Sequence, residues 1–262
     1  MKTELNIYMA FQNNEKTIDR SIESILLQSY KKFNLILIDD ASTDNSLNLA
    51  KNWKQKDKRI FLIINDKKIG LARSLNKAIK LYPNLFLGRM DADDYALPNK
   101  FKYQMNILQK FNSIDVIGTS VFTNSKDKRN YLKLNSHHNQ IIKNVYKMMP
   151  FAHPTIIMRS DAFTSVGGYR NINKTQDLDL FYRMRERKVK FHNLKIPLLI
   201  YNTSRKNLKK IFNSLRIRVF YEFKSKNYMK CILSVFFSFY EILKLFFDLI
   251  RFPNNKSTSP KN

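Results

Sequence analysis

The chain alternates two hydrophobic periods over its first part. Leu5–Met9, Phe33–Ile38 and Ile60–Ile64 are near-continuous apolar runs, and Leu85–Met90 is a fourth, interrupted by Gly88. Unbroken apolar runs of this length predict strands covered on both faces. Between them the spacing changes. Ile18, Ile22, Ile25 and Leu26 recur at helical intervals within 17–27. Leu47, Leu49 and Ala50 open a second helix behind the cap-rich turn Asp40–Thr43, and 71–79 reads as a third. Strands alternating with helices predict an α/β fold with a largely parallel sheet and helices on both faces.

Beyond Pro98 the pattern is less regular. A helix is expected through Phe111 and a strand over 114–120, followed by a polar loop over 123–139. A strand over 155–158 precedes the turn Gly167-Gly168-Tyr169. A helix follows over 178–187, then two short strands around Pro197 within 189–201. From Leu208 the chain reads as basic amphipathic helix.

Composition narrows the function classes. The net charge is +26 over 262 residues, and residues 201–262 hold 13 basic and 3 acidic side chains. Such an excess points to an anionic partner: nucleic acid, a phosphate-rich ligand or an acidic membrane surface. Cys231 is the only cysteine, which excludes an intramolecular disulfide, a zinc ribbon and a CxxC redox site. No GxGxxG and no GxxxxGK[ST] occurs, so neither a dinucleotide fingerprint nor a P-loop is present. The apolar run Ile7–Phe11 is shorter than a secretory h-region, and a cytoplasmic location is expected.

Against this basic background the carboxylates cluster. Asp39 and Asp40 end the second strand, and Asp91, Asp93 and Asp94 follow the fourth. Open α/β sheets bind ligands at such strand ends. Two carboxylates about 6 Å apart repel by about 3 kcal/mol at an effective dielectric near 20. A divalent cation offsets that repulsion directly, and Mg²⁺ commonly combines one or two carboxylates with substrate phosphates. An EF-hand counted from Asp91 fails, because Ala96 and Lys102 stand where Gly and Glu are needed. Among other polar residues, Arg73 follows Gly70 at a helix start, where a nucleotide contact and a solvated charge compete. His137-His138 reads as solvated loop, and His153 as a structural hydrogen bond before a third metal ligand or an acceptor contact. Tyr169 lines the acceptor side or packs a turn.

The segments Met9–Glu15, Gln28-Ser29-Tyr30, Asp39–Asp44, Gly70–Asn76 and Arg89–Asp94 stand in an order that resembles the GT-A family 2 glycosyltransferases. The similarity continues through Pro98, His153-Pro154-Thr155, Gly167-Gly168-Tyr169 and Gln176–Leu180, and spans residues 5 to 205. The resemblance implies a GT-A nucleotide-sugar-binding fold, a mostly parallel sheet flanked by helices, over residues 1–205. It implies a nucleotide-sugar donor, a UDP-sugar first, and a divalent Mn²⁺ or Mg²⁺ ion. Phe11, Asn13 and Glu15 match the first nucleotide-lining loop, and Asp39-Asp40 the turn that contacts base and ribose. Asp91 and Asp93 match the DxD pair: Asp93 for the metal on the diphosphate, Asp91 for the ribose and as a second metal ligand. Asp177 matches the general base that activates the acceptor hydroxyl, in one inverting, in-line displacement. Gln12 and Gln176 depart from the family's Tyr and Glu. The acceptor implied is a glycan or lipid-linked glycan of lipopolysaccharide or capsule type. Nucleotidyl transfer is one rival reading. Nucleic-acid binding is another, and the aromatics on the apolar side of the last helix oppose it.

That last helix closes a C-terminal extension of basic amphipathic helices, 206–252, ahead of a tail at 253–262 expected to be disordered. Asn227, Lys230, Ser234, Ser238, Glu241, Lys244, Asp248 and Arg251 make one narrow polar stripe, and nearly everything else over 228–252 is apolar. Insertion of 232–250 is favoured by about 4–8 kcal/mol and opposed by up to about 9 from three charges. An in-plane helix on the inner, anionic face of the plasma membrane is therefore expected rather than a span. Packing on the catalytic domain or on a second subunit is the alternative.

Overall fold

The computed structural model describes residues 4–125, 128–172, 175–202 and 208–251. The segments 203–207 and 252–262, and with them the expected domain boundary and tail, lie outside the described residues. The chain divides into two compact units, 1–144 with 149–203, and 145–148 with 204–262.

The first unit begins with β1 (Leu5–Phe11), α1 (Ile18–Leu26), β2 (Phe33–Asp39), α2 (Ser46–Lys56), β3 (Ile60–Ile64), α3 (Leu71–Leu81) and β4 (Phe86–Arg89). These strands pair in parallel in the order β3-β2-β1-β4. The chain thus builds outward from β1 on one side and then returns to its other side. That reversal opens a crevice beyond the carboxyl ends of β1 and β4.

Both faces of these strands are covered, which is why they read as continuous apolar runs. Leu5, Ile7, Met9, Leu35 and Leu37 pack with Ile18, Ile22 and Ile25 of α1. Tyr8, Ile36 and Ile38 pack on the other side with Ala72, Leu75 and Ala78 of α3. Gly88 is confined by the same packing: a Cβ there would collide with the Ile7 side chain.

The rest of the unit runs β5 (Tyr95–Ala96), α4 (Lys100–Lys110), β6 (Val116–Ser125), β7 (Lys128–Leu132), α5 (His138–Asn144), a 3₁₀ turn at His153–Thr155, β8 (Ile157–Arg159), α6 (Ser160–Thr164), α7 (Gln176–Glu186) and β9 (Phe191–Asn202). It extends the sheet as β4-β8-β6-β9-β5, with β7 paired to β6. Here β4–β8, β8–β6, β6–β7 and β9–β5 are antiparallel and β6–β9 is parallel. The parallel pattern holds for the first half and gives way to a mixed one.

Two sequence expectations change. The polar stretch over 123–139 is not all loop: it contains the end of β6, all of β7 and the start of α5. β7 has the sequence Lys-Arg-Asn-Tyr-Leu and leaves Tyr131 and Leu132 exposed, so it carries no apolar alternation to betray it. The two strands expected around Pro197 are one strand, β9. Its register against β6 shifts where Pro197 meets Ser120, because proline supplies no N–H to the ladder and is absorbed as an irregularity.

In the second unit α8 (Leu208–Lys224) and α9 (Tyr228–Arg251) follow one another. Lys226 turns the chain between them with a left-handed φ of 56°. Their amphipathic pattern is inverted. Ser234 and Ser238 of the polar stripe are buried, and Asn227, Lys230 and Glu241 are half-buried. Ser234 Oγ donates to the carbonyls of Lys230 (2.7 Å) and Tyr146 (3.1 Å). On α8, Arg218 and Glu222 are buried while Phe212, Phe220 and Phe223 are exposed. Among the described residues, no helix is long and apolar enough to cross a membrane.

Candidate functional site

Two loops leave the carboxyl ends of β1 and β2 side by side and are laced together. Asn13, with a left-handed φ of 54°, donates its N–H to Ser42 Oγ (3.1 Å), and its Oδ1 accepts the Thr43 N–H (2.8 Å). The Asn14 N–H donates to Ser46 Oγ (2.7 Å) and the Glu15 N–H to Asp44 Oδ2 (3.0 Å). Glu15 Oε2 in turn accepts the Asn45 N–H (3.0 Å). The caps of one loop are thus supplied by the other. Phe11 is buried beneath them in the core.

Asp39 and Asp40 are adjacent but differently employed. The Asp39 carboxylate accepts a local N–H, from Ser42 at 3.2 Å. Asp40 holds the frame: its Oδ1 accepts from Ile69 N (2.9 Å), Ser74 Oγ (3.1 Å) and Asn65 Nδ2 (3.2 Å), and its Oδ2 from Gly70 N (2.9 Å). The end of β2 is thereby bolted to the N-terminus of α3. Arg73, one turn into α3, is exposed. No hydrogen bond or ion pair among the described residues ties it to the acidic cluster.

That cluster sits where the crevice opens. Asp91, Asp93 and Asp94 each offer an oxygen, all within 4.8 Å of one another. Asp91 is paired with the buried Arg89 guanidinium. The Asp93 carbonyl accepts from Arg20, and its carboxylate lies 3.4 Å from Asn202 Nδ2. Asp94 is fully buried, and its Oδ1 accepts the Asn202 N–H at 2.7 Å. Its Oδ2 has no hydrogen-bond partner among the described residues. Burial, and then the charge of Asp91, push the Asp93 carboxyl up, and the same causes push Asp94 to about 9. Behind them Lys100 is wholly buried, and its Nζ makes no hydrogen bond among the described residues. Burial lowers that ammonium to about 7 against the pull of Asp94. With one paired cation the three converging carboxyl groups do not all ionise: burial, and then the charge of Asp91, hold Asp94 protonated at neutral pH. Oxygen-only donors and a buried unpartnered carboxylate oxygen suit a hard divalent cation.

Asp177 lies at the second position of α7, half-exposed, with its Oδ1 accepting the Leu178 N–H at 2.9 Å. It shares neighbours with the cluster. Burial first, and then the charges of Asp177 and Asp91 among others, hold the phenols of Tyr169 and Tyr201 above their ordinary range. Helix α7 is tied down by Arg183, which pairs with Asp179 (2.8 Å) and donates to the Gly168 carbonyl (2.8 Å). Gly168 needs its identity: φ is 71°, and a Cβ would press on Phe163 and Asn76.

The histidines take structural roles where the structure uses them. His153 is buried, with Nε2 2.8 Å from the Tyr169 hydroxyl. Burial, and then Arg89, hold it well below its usual range. His138 is not simply solvated: its Nδ1 accepts the Phe191 N–H. His137 is exposed and bridges to His192.

Sequence reasoning missed Arg89, Lys100 and Asn202. Arg89 left a signal, a lone cation ending an apolar strand two residues before Asp91. Asn202 left none, since its N–H reaches Asp94 only through the pairing of β9.

Comparison with known proteins agrees with this arrangement. The family model described as "Glycosyl transferase family 2" matches residues 6–167. The Bacillus subtilis protein EpsE, which carries a glycosyltransferase name, is 34% identical over 205 residues, covering 74% of this chain and 71% of that protein. The O-antigen biosynthesis glycosyltransferase WbnJ of Escherichia coli is 30% identical over 214 residues, covering 79% and 82%. The crystal structure of S. aureus TarS 1–349 in complex with UDP-GlcNAc superposes with a TM-score of 0.66 at 15% identity, covering 84% of this chain. This chain spans 66% of that structure's chain, and the likeness carries the fold, GT-A. Nucleotidyl transfer and nucleic-acid binding are not favoured. Aligned sequence and strand-end chemistry agree: the chain belongs to glycosyl transferase family 2.

Proposed function

We propose that the protein moves a sugar, with inversion, from a UDP-sugar to a hydroxyl of a glycan or lipid-linked acceptor in surface-polysaccharide synthesis, at the cytoplasmic face of the membrane. The observation that carries this reading is the convergence of Asp91, Asp93 and Asp94 at the crevice between β1 and β4. In it, Asp93 and Asp91 hold Mn²⁺ or Mg²⁺, which when bound neutralises charge on the departing diphosphate. Asn13, Glu15 and Asp39 line the nucleoside, with Phe11 as the floor of that wall. Asp40 fixes the loop before α3, and Arg73 reaches the donor from its first turn. Arg89 fixes the Asp91 carboxylate, so that the DxD segment is positioned before donor arrives. Asp177 takes the acceptor hydroxyl proton as the new glycosidic bond forms on the face opposite the leaving nucleoside diphosphate. The acceptor class is supported by the name of the related WbnJ, and the donor class by TarS bound to UDP-GlcNAc.

The test is nucleoside diphosphate release from a panel of nucleotide sugars with Mn²⁺ or Mg²⁺ and lipid-linked acceptor. Asp93→Ala is expected to lose at least about a hundredfold in rate. Asp177→Asn should lower kcat while donor affinity by calorimetry stays within about twofold. A protein that binds no nucleotide sugar in the presence of metal would sink the reading.

A further inference from the structure

The hairpin of α8 and α9 hides polar groups and shows apolar ones. From Tyr228 to Phe247 every exposed residue except Lys244 is aromatic, aliphatic or Met229. At 100° per residue these positions, from Val235 through Phe246, Phe239, Ile232 and Phe236 to Leu233, sweep about half the circumference of the helix. At a rise of 1.5 Å per residue they form a strip roughly 30 Å long. Continuous apolar surface of that extent marks an occupant other than water. The exposed side of α8 differs in kind. There Phe212, Phe220 and Phe223 alternate with Lys209, Arg216 and Lys224.

We infer that this hairpin is a monotopic anchor for an anionic lipid surface: α9 lies in the acyl boundary and α8 sets its cations among the headgroups. Charge selects the occupant. A second copy would bring another segment with 13 basic and 3 acidic residues against the first, and like charges oppose that pairing. A single-stranded nucleic acid would suit the aromatic and cationic face of α8, but it offers nothing to the phosphate-free strip of α9. Anionic lipid satisfies both at once, headgroup to cation and acyl chain to phenylalanine. The buried serines explain why the helix lies on the surface and does not span it. Its polar stripe is turned into the hairpin, as in the Ser234 hydrogen bond to the Tyr146 carbonyl, so only one side is available to lipid.

This inference stands apart from the donor reading, because its readout is lipid binding and not turnover. The full chain is sedimented with vesicles of phosphatidylcholine alone and of phosphatidylcholine with phosphatidylglycerol, at about 0.15 M salt. Binding is expected to the mixed vesicles and to be at least about tenfold weaker for Phe236→Glu with Phe239→Glu. Both residues are already exposed, so the variant keeps its circular-dichroism spectrum and melting temperature. Lys209→Glu with Arg216→Glu should abolish the preference for phosphatidylglycerol. Three results would overturn the anchor: wild type left in the supernatant, equal sedimentation of the phenylalanine variant, or equal binding to both vesicle types. Dimerisation abolished by the same variant, without vesicle binding, would assign the strip to a second copy. Displacement from vesicles by a short single-stranded oligonucleotide would assign α8 to nucleic acid.

Discussion

Helices α3 and α9 are both amphipathic, and they face opposite ways. Helix α3 buries Ala72, Leu75 and Ala78 against the sheet and exposes Arg73, Lys77 and Lys80. Helix α9 buries Ser234 and Ser238 and exposes Phe236, Phe239 and Phe247. Periodicity alone therefore tells that a helix has two sides; the medium on each side decides which one turns inward. For α3 the inner medium is a protein core, where a fully buried leucine such as Leu75 contributes about 1.5–3 kcal/mol. For α9, on the anchor inferred above, the apolar medium is a lipid surface outside the chain.

The sharpest way to break this contrast is to place the same charge on both helices. Leu75→Asp puts an unpartnered carboxylate into the core and should cost 4 kcal/mol or more, read as loss of the cooperative melt of the first unit. Overpacking the inward side of α9 is next. Ser234→Leu should cost about 1–3 kcal/mol, with lost helicity by circular dichroism on heating. A comparable effect comes from acid. His153 is neutral in the folded state, because burial lowers its pKa below the 6.5 of the free group. Below about pH 6.5 the unfolded chain takes up a proton that the folded one refuses. The His153 share of the fall in stability should be up to about 1.4 kcal/mol per pH unit. The slope should shrink by that share in His153→Gln, the remainder coming from His138 and His192, which burial also lowers. The smallest effect is the most telling: Phe236→Asp on the exposed strip should change stability by less than about 0.5 kcal/mol. A large loss there would mean that α9 keeps its apolar side for protein after all.

How much could be read beforehand follows from the same physics. Strands β1 to β4 and helices α1 to α3 were legible because each is bounded by cap or turn residues and packs into the core on one face of the sheet or the other. The acidic cluster was legible because Asp91, Asp93 and Asp94 are local in sequence. Partners that meet only through the fold were not: Asn202 from β9, Lys100 from the start of α4, and the Tyr169 hydroxyl that satisfies His153. The difference between Asp39 and Asp40 was equally hidden. Two adjacent aspartates look alike until the Ile69 and Gly70 N–H groups are seen to point at one of them. The hairpin of β6 and β7 escaped because a polar edge strand has no hydrophobic rhythm to detect.

The lacing of residues 13–15 to 42–46 bears on how this chain can be altered. Asn13, Glu15, Ser42, Asp44 and Ser46 cap one another reciprocally, so neither loop carries a complete set of donors and acceptors by itself. A segment transplanted from a relative at one loop alone would arrive without its complements and leave several N–H groups unmet. The two loops, some thirty residues apart in the chain, are one module for exchange. On the donor site proposed above, a chimaera meant to change donor preference has to graft both together and leave Asp40 in place.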